Sequence, residues 1–161
     1  MENLDVIYED NHIVVVVKPQ NVPSQADESG DLDMLSMVKA YVKEKYNKPG
    51  EAYIGLVHRL DRPTGGIMVF ARTSKAANRL SEQIKNGEFV KTYYCVTDGI
   101  PKESEGHLVN YLKKDDNIVK IVPMSETGAK RAETIYKVLE VEKNLALVKV
   151  NILTGRSHQI R

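Results

Sequence analysis

The sequence predicts an α+β fold in which helices flank a mixed, largely antiparallel sheet. Two observations support this prediction. Strand-like apolar segments outnumber helical ones, and short turn segments join several of them directly, as antiparallel hairpins require. The 161 residues are 42% hydrophobic and 28% charged, which is the composition of a folded domain with a sizeable core. We expect one domain over residues 1–161, with about seven or eight strands and two helices.

The N-terminal part begins with "DVIYEDNHIVVVVKP", which predicts two strands around an Asp-Asn turn. The run "IVVVV" is apolar at successive positions and is typical of a strand covered on both faces. A loop with four acidic residues follows at 27–33. Asp31 is the expected N-cap of a helix over "LDMLSMVKAYVKEKYN", where apolar residues recur at helical spacing.

The middle and C-terminal parts continue this pattern. "GIMVFA" predicts a strand, and "SKAANRLSEQIKNG" predicts a helix with Ser74 as its N-cap. "FVKTYYCVTDG" predicts another strand. Two hairpins are expected after it, one turning at residues 115–117 and a longer one turning at residues 142–144.

Several features bear on the cellular compartment. Cys95 is the only cysteine, so no intramolecular disulfide can form. The N-terminus lacks the basic and apolar regions of a signal peptide. The longest purely apolar run is about five residues, far below the roughly 20 that a transmembrane helix needs. We therefore expect a cytoplasmic protein that does not associate with a membrane.

The residues that commonly bind metals or nucleotides do not form known motifs. The four histidines are scattered and show no zinc-site spacing with one another or with cysteine. Neither a P-loop nor a dinucleotide glycine fingerprint is present, because Gly65 and Gly66 match neither pattern. We expect no metal and no cofactor.

The charge distribution permits a nucleic-acid partner without requiring one. The formal net charge is +1, yet residues 55–92 contain seven basic and three acidic side chains. Such a local excess could follow the phosphates of a nucleic acid. A basic, solvated surface gives the same pattern, so charge alone leaves both interpretations open.

The stretch "LVHRLDRPTGG" places one carboxylate, Asp61, between Arg59 and Arg62. Neighbouring arginines favour the ionised form of a carboxylate, which can serve as a nucleophile or base. A surface turn with a local ion pair, worth at most about 1 kcal/mol, is the alternative. Hydrolysis of a glycosidic bond usually needs two carboxylates. A single one, together with a tyrosine and an arginine, better fits a rearrangement of a base on its sugar.

Two further segments contain candidate site residues. In "KTYYCV", strand alternation places Tyr93 and Tyr94 on opposite faces, so one can enter a pocket while the other packs in a core. "TGRSHQIR" concentrates polar side chains that suit phosphate or carboxylate pairing, and alternation would place Gln159 and Arg161 on one face. Core packing for the tyrosine and a polar strand end for the second segment are the alternatives.

"HRLDRPTGGIMVFARTSKAA", "KTYYCVTDG" and "LTGRSHQIR" together closely resemble the RNA pseudouridine synthases of the RluA/RluD type. Matching blocks occur in order from about residue 5 to residue 161. The resemblance implies the pseudouridine synthase catalytic fold and a reaction without metal or organic cofactor. It also implies that Asp61 is the catalytic aspartate, Tyr93 the active-site tyrosine and Arg161 the arginine that pairs with the carboxylate.

The implied reaction detaches uracil from C1′ of a flipped uridine and reattaches it through C5. Asp61 would attack the sugar or abstract its C2′ proton, and both routes remain open. Arg59 is the candidate for a wedge that fills the vacated space or for a phosphate clamp. The other expected RNA contacts are Arg62, Lys91, Arg156, His158 and Gln159.

The resemblance implies structured RNA as the substrate, with large-subunit ribosomal RNA first and tRNA second. We expect a monomer without a preceding S4-like RNA-binding module. We also expect a catalytic domain that is incomplete at its C-terminus, because the family pattern continues past "GRSHQIR". A non-catalytic RNA-binding module using the same basic face and a nucleoside or glycoside hydrolase are the alternative functions.

Overall fold

The computed structural model describes residues 4–116 and 118–161, in which nine strands and two helices form. The chain divides into two compact units, Met1–Asn86 and Gly87–Arg161. Each unit has its own sheet, and all neighbouring strands pair antiparallel. The predicted α+β class is confirmed, with the strands distributed over two sheets. Neither helix of these described ranges is long and apolar enough to cross a membrane.

The first unit contains a four-stranded sheet in the order β1-β2-β4-β3. Its strands are β1 (Val6–Glu9), β2 (Ile13–Lys18), β3 (Gly55–Leu56) and β4 (Gly66–Ala71). Alternate residues of β2, namely Val14, Val16 and Lys18, are fully buried, while the residues between them are half-buried. The expected hairpin and the central strand are therefore present, with one face of β2 fully buried and the other half-buried. The two-residue strand β3 is too short to give a sequence pattern.

Helix α1 (Met34–Lys45) begins two residues later than its predicted cap implies. The N-cap is Asp33, whose carboxylate accepts the backbone N–H of Ser36 at 3.1 Å. An N-cap must directly precede the first helical residue to reach that N–H, so the prediction of Asp31 is wrong. Met34, Val38 and Val42 are buried along one face at the spacing of four that a helix requires.

Helix α2 (Ser74–Lys85) buries only Ala76, and its cap lies one residue before the predicted one. Its N-cap is Thr73, whose hydroxyl accepts the N–H of Ala76 at 3.1 Å. Ser74, the predicted cap, is already the first helical residue. Thr73 is extended (φ −140°, ψ 153°), which is the conformation of a capping residue.

Glu9 links strand β1 to helix α1 and the residue that follows it. Its carboxylate accepts hydrogen bonds from the hydroxyls of Tyr41 and Tyr46, each at 2.8 Å, and pairs with Lys45. Burial alone would raise the pKa of Glu9, but the hydrogen bonds from Lys45, Tyr41 and Tyr46 outweigh it and lower the pKa to about 2. The ionised carboxylate therefore stabilises the folded state.

The second unit is a five-stranded sheet in the order β5-β9-β8-β6-β7. Its strands are β5 (Lys91–Asp98), β6 (Glu105–Asp115), β7 (Ile118–Ile121), β8 (Lys130–Glu142) and β9 (Leu145–Ile152). Ala146, Val148 and Val150 of β9 form its buried cluster. The long β8–β9 hairpin is confirmed. The β6–β7 hairpin also forms, although Asn117 of its predicted turn lies outside the described residues.

We predict that Glu9→Gln lowers the free energy of unfolding by about 1–2 kcal/mol at pH 7, a value reduced for solvent screening. Glu9 titrates at 4.5 when unperturbed and at about 2 in the fold. Its contribution is therefore complete above about pH 4.5 and is lost as the pH falls toward 2. Urea unfolding of both proteins between pH 2 and pH 7 measures this difference.

The matched control is Glu51→Gln, which removes the carboxylate of an exposed pair with Lys43. This variant should unfold like the original protein because an exposed pair contributes little. Equal losses for the two variants, or a difference for Glu9→Gln that persists at pH 2, would contradict the assigned role of Glu9.

Candidate active site

The segment "HRLD" is fixed to the first unit by alternate residues. Nε2 of His58 accepts the backbone N–H of Val69 in strand β4 at 3.0 Å. The Leu60 side chain is buried in the core. Arg59, between them, is exposed, and Asp61 is half-buried. The motif therefore combines two inward anchors with an outward arginine and a partly accessible carboxylate.

Ser24 holds the backbone on the N-terminal side of Asp61. Its buried hydroxyl donates to the carbonyl of Leu60 at 2.6 Å and accepts the N–H of the same residue at 3.1 Å. One side chain thus satisfies both backbone groups of Leu60, so this residue cannot shift without breaking two buried hydrogen bonds.

Lys18 holds the backbone on the other side of Asp61. It lies at the end of β2 and is fully buried. Its Nζ donates to the carbonyl oxygens of Pro19 at 2.9 Å, Val22 at 2.6 Å and Arg62 at 3.0 Å. The Arg62 carbonyl also accepts the N–H of Asn21 at 2.7 Å. Since an ammonium has three donors, all of them are used on backbone carbonyls.

The charge of Lys18 is coupled to the neighbouring ionisable groups. Burial lowers the pKa of Lys18, and the positive charge of Arg62 lowers this pKa further. The carboxylate of Asp61 acts in the opposite direction and raises the pKa of Lys18. The first unit therefore contains a buried cation that interacts favourably with the Asp61 carboxylate.

The residues after Asp61 form a turn that leads into strand β4. The N–H of Thr64 donates to the Asp61 carbonyl at 2.9 Å. A Cβ at Gly65 would lie 3.1 Å from Cγ of Gln20 and 3.5 Å from the carbonyl oxygen of Lys18, so the glycine permits a close approach of two loops. Gly66 has a φ of +148°, which side chains rarely adopt.

Arg62 directs its guanidinium to the exposed loop of residues 25–32, which precedes α1. It donates to Asp31 and to the hydroxyl of Ser29 at 2.9 Å, and it lies 3.5 Å from the Asp27 carboxylate. The hydrogen bond to Asp31 is the main cause that raises the pKa of Arg62. The ion pairs that the structure shows for this arginine are therefore with residues distant in sequence, which local charge patterns do not reveal.

Tyr93 lies on the covered face of the second sheet. It pairs with Val150 of β9, is half-buried, and packs with Cys95 against the cluster of Ala146, Val148 and Val150. Tyr94 is 63% exposed on the other face. The prediction that the two tyrosines point to opposite faces is confirmed.

The segment "GRSHQIR" is a turn, so the predicted strand alternation of Gln159 and Arg161 is wrong. Strand β9 ends at Ile152, and residues 157–160 form turns in which His158 has a φ of +51°. The N–H of Gln159 donates to the Arg156 carbonyl at 3.3 Å. These local bonds replace the cross-strand bonds that a strand would need.

The side chain of Gln159 attaches this turn to strand β8. Its Oε1 accepts the hydroxyl of Thr154 at 2.8 Å and the N–H of Arg156 at 3.0 Å. Its Nε2 donates to the Glu133 carbonyl at 3.0 Å and to Thr134 Oγ1 at 2.9 Å. In the described structure the Gln159 amide therefore bonds to two backbone groups and two hydroxyls of its own unit, and its predicted RNA contact stays a prediction.

The structure brings some of the predicted site residues together within one unit. Ile160, next to Arg161, packs on the same apolar cluster as Tyr93, which places the turn on the covered face of the second sheet. Asp61 belongs to the first unit. The catalytic roles of all three residues stay predictions.

The predicted RNA contacts differ in exposure. Arg59, Arg62 and Arg156 are exposed, and Nε of Arg156 donates to the Arg131 carbonyl at 2.9 Å. His158 is half-buried, as is Lys91, whose pKa is lowered by burial. Within residues 4–116 and 118–161, no group of three His, Cys, Asp or Glu side chains is placed to hold a metal ion.

Sequence reasoning missed Lys18, Asn21 and Ser24. One signal for Lys18 was available, because it follows Val14 and Val16 at a spacing of two and therefore shares their buried face. Asn21 and Ser24 had none, since a serine or asparagine near a proline is typical of any turn.

Comparisons with known proteins give a consistent assignment. A family model described as RNA pseudouridylate synthase matches residues 12–161. The ribosomal large subunit pseudouridine synthase C of Rickettsia bellii (strain RML369-C) is 34% identical over 158 residues, which cover 97% of this chain and 50% of that protein. The ribosomal large subunit pseudouridine synthase D of Zymomonas mobilis is 32% identical over 161 residues, covering 98% and 50%.

The solved structure of human RNA pseudouridylate synthase domain containing 4 has a TM-score of 0.83 and 27% identity, covering 98% of this chain and 62% of that chain. These matches confirm the predicted resemblance and fold. The chain spans about half the length of the curated relatives it matches.

We predict that Lys18→Met lowers the free energy of unfolding by about 2–4 kcal/mol, because three carbonyl oxygens lose a buried donor while the side-chain volume is nearly kept. Urea unfolding at neutral pH measures the change. Lys75→Met, at an exposed position of α2, is the matched control and should change little. If the urea unfolding curves of the two variants had the same midpoint and slope, Lys18 would not hold the backbone as described.

Proposed function

The chain belongs to the RNA pseudouridylate synthase family, and from this premise we propose that it isomerises uridine to pseudouridine in RNA, with Asp61 as the catalytic carboxylate. Large-subunit ribosomal RNA is the proposed substrate, because two of the relatives are named ribosomal large subunit pseudouridine synthases. tRNA remains the second candidate.

One observation supports the role of Asp61 above the others. Its two neighbours in sequence, Leu60 and Arg62, are both held by buried side chains, Ser24 on one side and Lys18 on the other. A reactive group must keep its position to within a fraction of an ångström, and such supporting hydrogen bonds provide that. An ordinary surface turn would not need them.

The proposed reaction is an isomerisation that needs no external reactant. The bond between N1 of uracil and C1′ breaks, the base turns, a bond forms between C5 and C1′, and the C5 proton leaves as N1 gains one. Asp61 starts this sequence by attacking C1′ or by abstracting the C2′ proton, and in both routes the reacting species is the ionised carboxylate.

The family resemblance assigns two further residues, Tyr93 and Arg161, to the proposed reaction. An aromatic ring can stack on a flipped base, and its hydroxyl can accept or donate a proton. The half-buried position of Tyr93, on the same face as the turn that precedes Arg161, is compatible with such a pocket wall. The family resemblance assigns to Arg161 the arginine that pairs with the catalytic carboxylate, a role that suits the charge-assisted hydrogen bonds of a guanidinium.

Exposed basic residues supply the proposed RNA contacts. Arg59 extends outward two residues before Asp61, where it could fill the space of a flipped nucleotide or bind a phosphate. Lys75, Arg79 and Lys85 of α2 are exposed in the same unit. Phosphate contacts of this type make RNA binding weaken as the salt concentration rises.

We predict that Asp61→Asn in the full-length gene product lowers the rate of pseudouridine formation at least about 10³-fold while RNA affinity changes less than about threefold, because the amide cannot act as nucleophile or base. Pseudouridine is mapped in transcribed large-subunit ribosomal RNA, and affinity is measured by fluorescence anisotropy. Asp98→Asn, at an exposed position of β5, is the control that should keep full activity.

Retained turnover by Asp61→Asn would refute the role of Asp61. An original protein that binds the RNA but makes no pseudouridine would favour the non-catalytic binding module. Release of free uracil would instead indicate hydrolysis.

A further inference from the structure

The loop of residues 25–32, called the acidic loop below, is exposed along its whole length. It contains three carboxylates, Asp27, Glu28 and Asp31. Both ends are anchored, because Ser24 is buried against Leu60 and Asp33 is the buried N-cap of α1. The loop therefore lies on the surface and is fixed at both ends.

The hydrogen bonds inside the acidic loop are local. The N–H of Ser29 donates to the Asp27 carboxylate at 3.0 Å, and the N–H of Asp31 donates to the Ser29 hydroxyl at 3.2 Å. Contacts between residues two apart stabilise a turn, but they do not fix the turn to the rest of the unit. The contacts described above between Asp27, Ser29, Asp31 and the Arg62 guanidinium connect the middle of the loop to the segment that contains Asp61.

These contacts are of a kind that a phosphate can replace. The side chains of Arg62, Asp27 and Asp31 are 41%, 44% and 54% exposed. Exposed pairs contribute little to stability, so exchanging their partner costs little. A phosphodiester presents two anionic oxygens, as a carboxylate does, and the planar guanidinium binds both in the same way.

We propose that the acidic loop is a phosphate mimic that occupies Arg62 in the free protein and is displaced from it by the RNA backbone. This inference rests on the proposed function, because it takes RNA as the polyanion. RNA contact at Arg62 then requires the guanidinium to exchange its carboxylate partners for a phosphate. An RNA that cannot place a phosphate there meets the three carboxylates instead, so the exchange also disfavours wrong substrates.

The carboxylates of Asp27 and Asp31 compete with a phosphate for Arg62 over the whole neutral pH range. The hydrogen bond from Arg62 is the main cause that lowers the pKa of Asp31, and hydrogen bonds from Ser29 lower the pKa of Asp27. Both groups therefore stay ionised well below neutral pH, and mild acidification does not release Arg62.

The loop contact is tested first in the free protein. A glutamate-specific protease cuts the bond between Glu28 and Ser29, and mass spectrometry follows that product. Asp31→Asn and Arg62→Gln should each raise the cleavage rate about threefold or more, because each frees the loop from the same contact. Cleavage at the original rate in both variants would overturn the inference without any reference to RNA.

The exchange itself is tested with transcribed large-subunit ribosomal RNA at low salt. Asp31→Asn should tighten binding about three- to fivefold, since the competitor is weakened. Glu28→Gln, which removes the same charge from the same loop without an ion pair to Arg62 among those described, should tighten binding less than about twofold. In the Arg62→Gln background the effect of Asp31→Asn should shrink to that of Glu28→Gln.

Equal effects of Asp31→Asn and Glu28→Gln, or an effect of Asp31→Asn that persists in Arg62→Gln, would overturn the exchange in favour of general electrostatic repulsion. If no variant binds RNA while cleavage rises as expected, the loop contact stands and the proposed RNA partner fails. The two failures are thus distinguishable.

Discussion

The candidate site of the first unit depends on the hydrogen bonds of a lysine ammonium that is buried at the end of a strand. Removing this charge from water is costly, and the cost is offset only because three carbonyl oxygens surround Nζ of Lys18. Two of these carbonyls belong to the loop after β2, and the third is that of Arg62, 44 residues away in sequence. A single side chain therefore joins two loops that could otherwise move independently.

The consequence for Asp61 is a backbone restrained on both sides. Ser24 satisfies both backbone groups of Leu60, and Lys18 and Asn21 share the carbonyl of Arg62. The carboxylate between them remains half-buried and thus accessible to a ligand. Enzymes gain rate from groups that are positioned before the substrate arrives, because no reorganisation is then needed during the reaction.

Local periodicity made much of the fold predictable. A spacing of two between buried residues identifies β2, and the same alternation places Tyr93 and Tyr94 on opposite faces of their strand. A spacing of four identifies α1. Both patterns depend only on neighbours in sequence. The supports of Asp61 could not be predicted, since Ser24 and Leu60 lie 36 residues apart. The turn before Arg161 was mistaken for a strand because the amide side chain of Gln159, which satisfies backbone groups there, has no sequence signature.

The most direct test of this account is amide hydrogen exchange in the free protein. The N–H of Leu60 donates to Ser24 and that of Asn21 donates to the Arg62 carbonyl. If the loops are held before RNA binds, both amides should exchange as slowly as those of the paired strands β2 and β4. Exchange as fast as that of the exposed amide of Glu28 would show that the segment is mobile and would contradict the account.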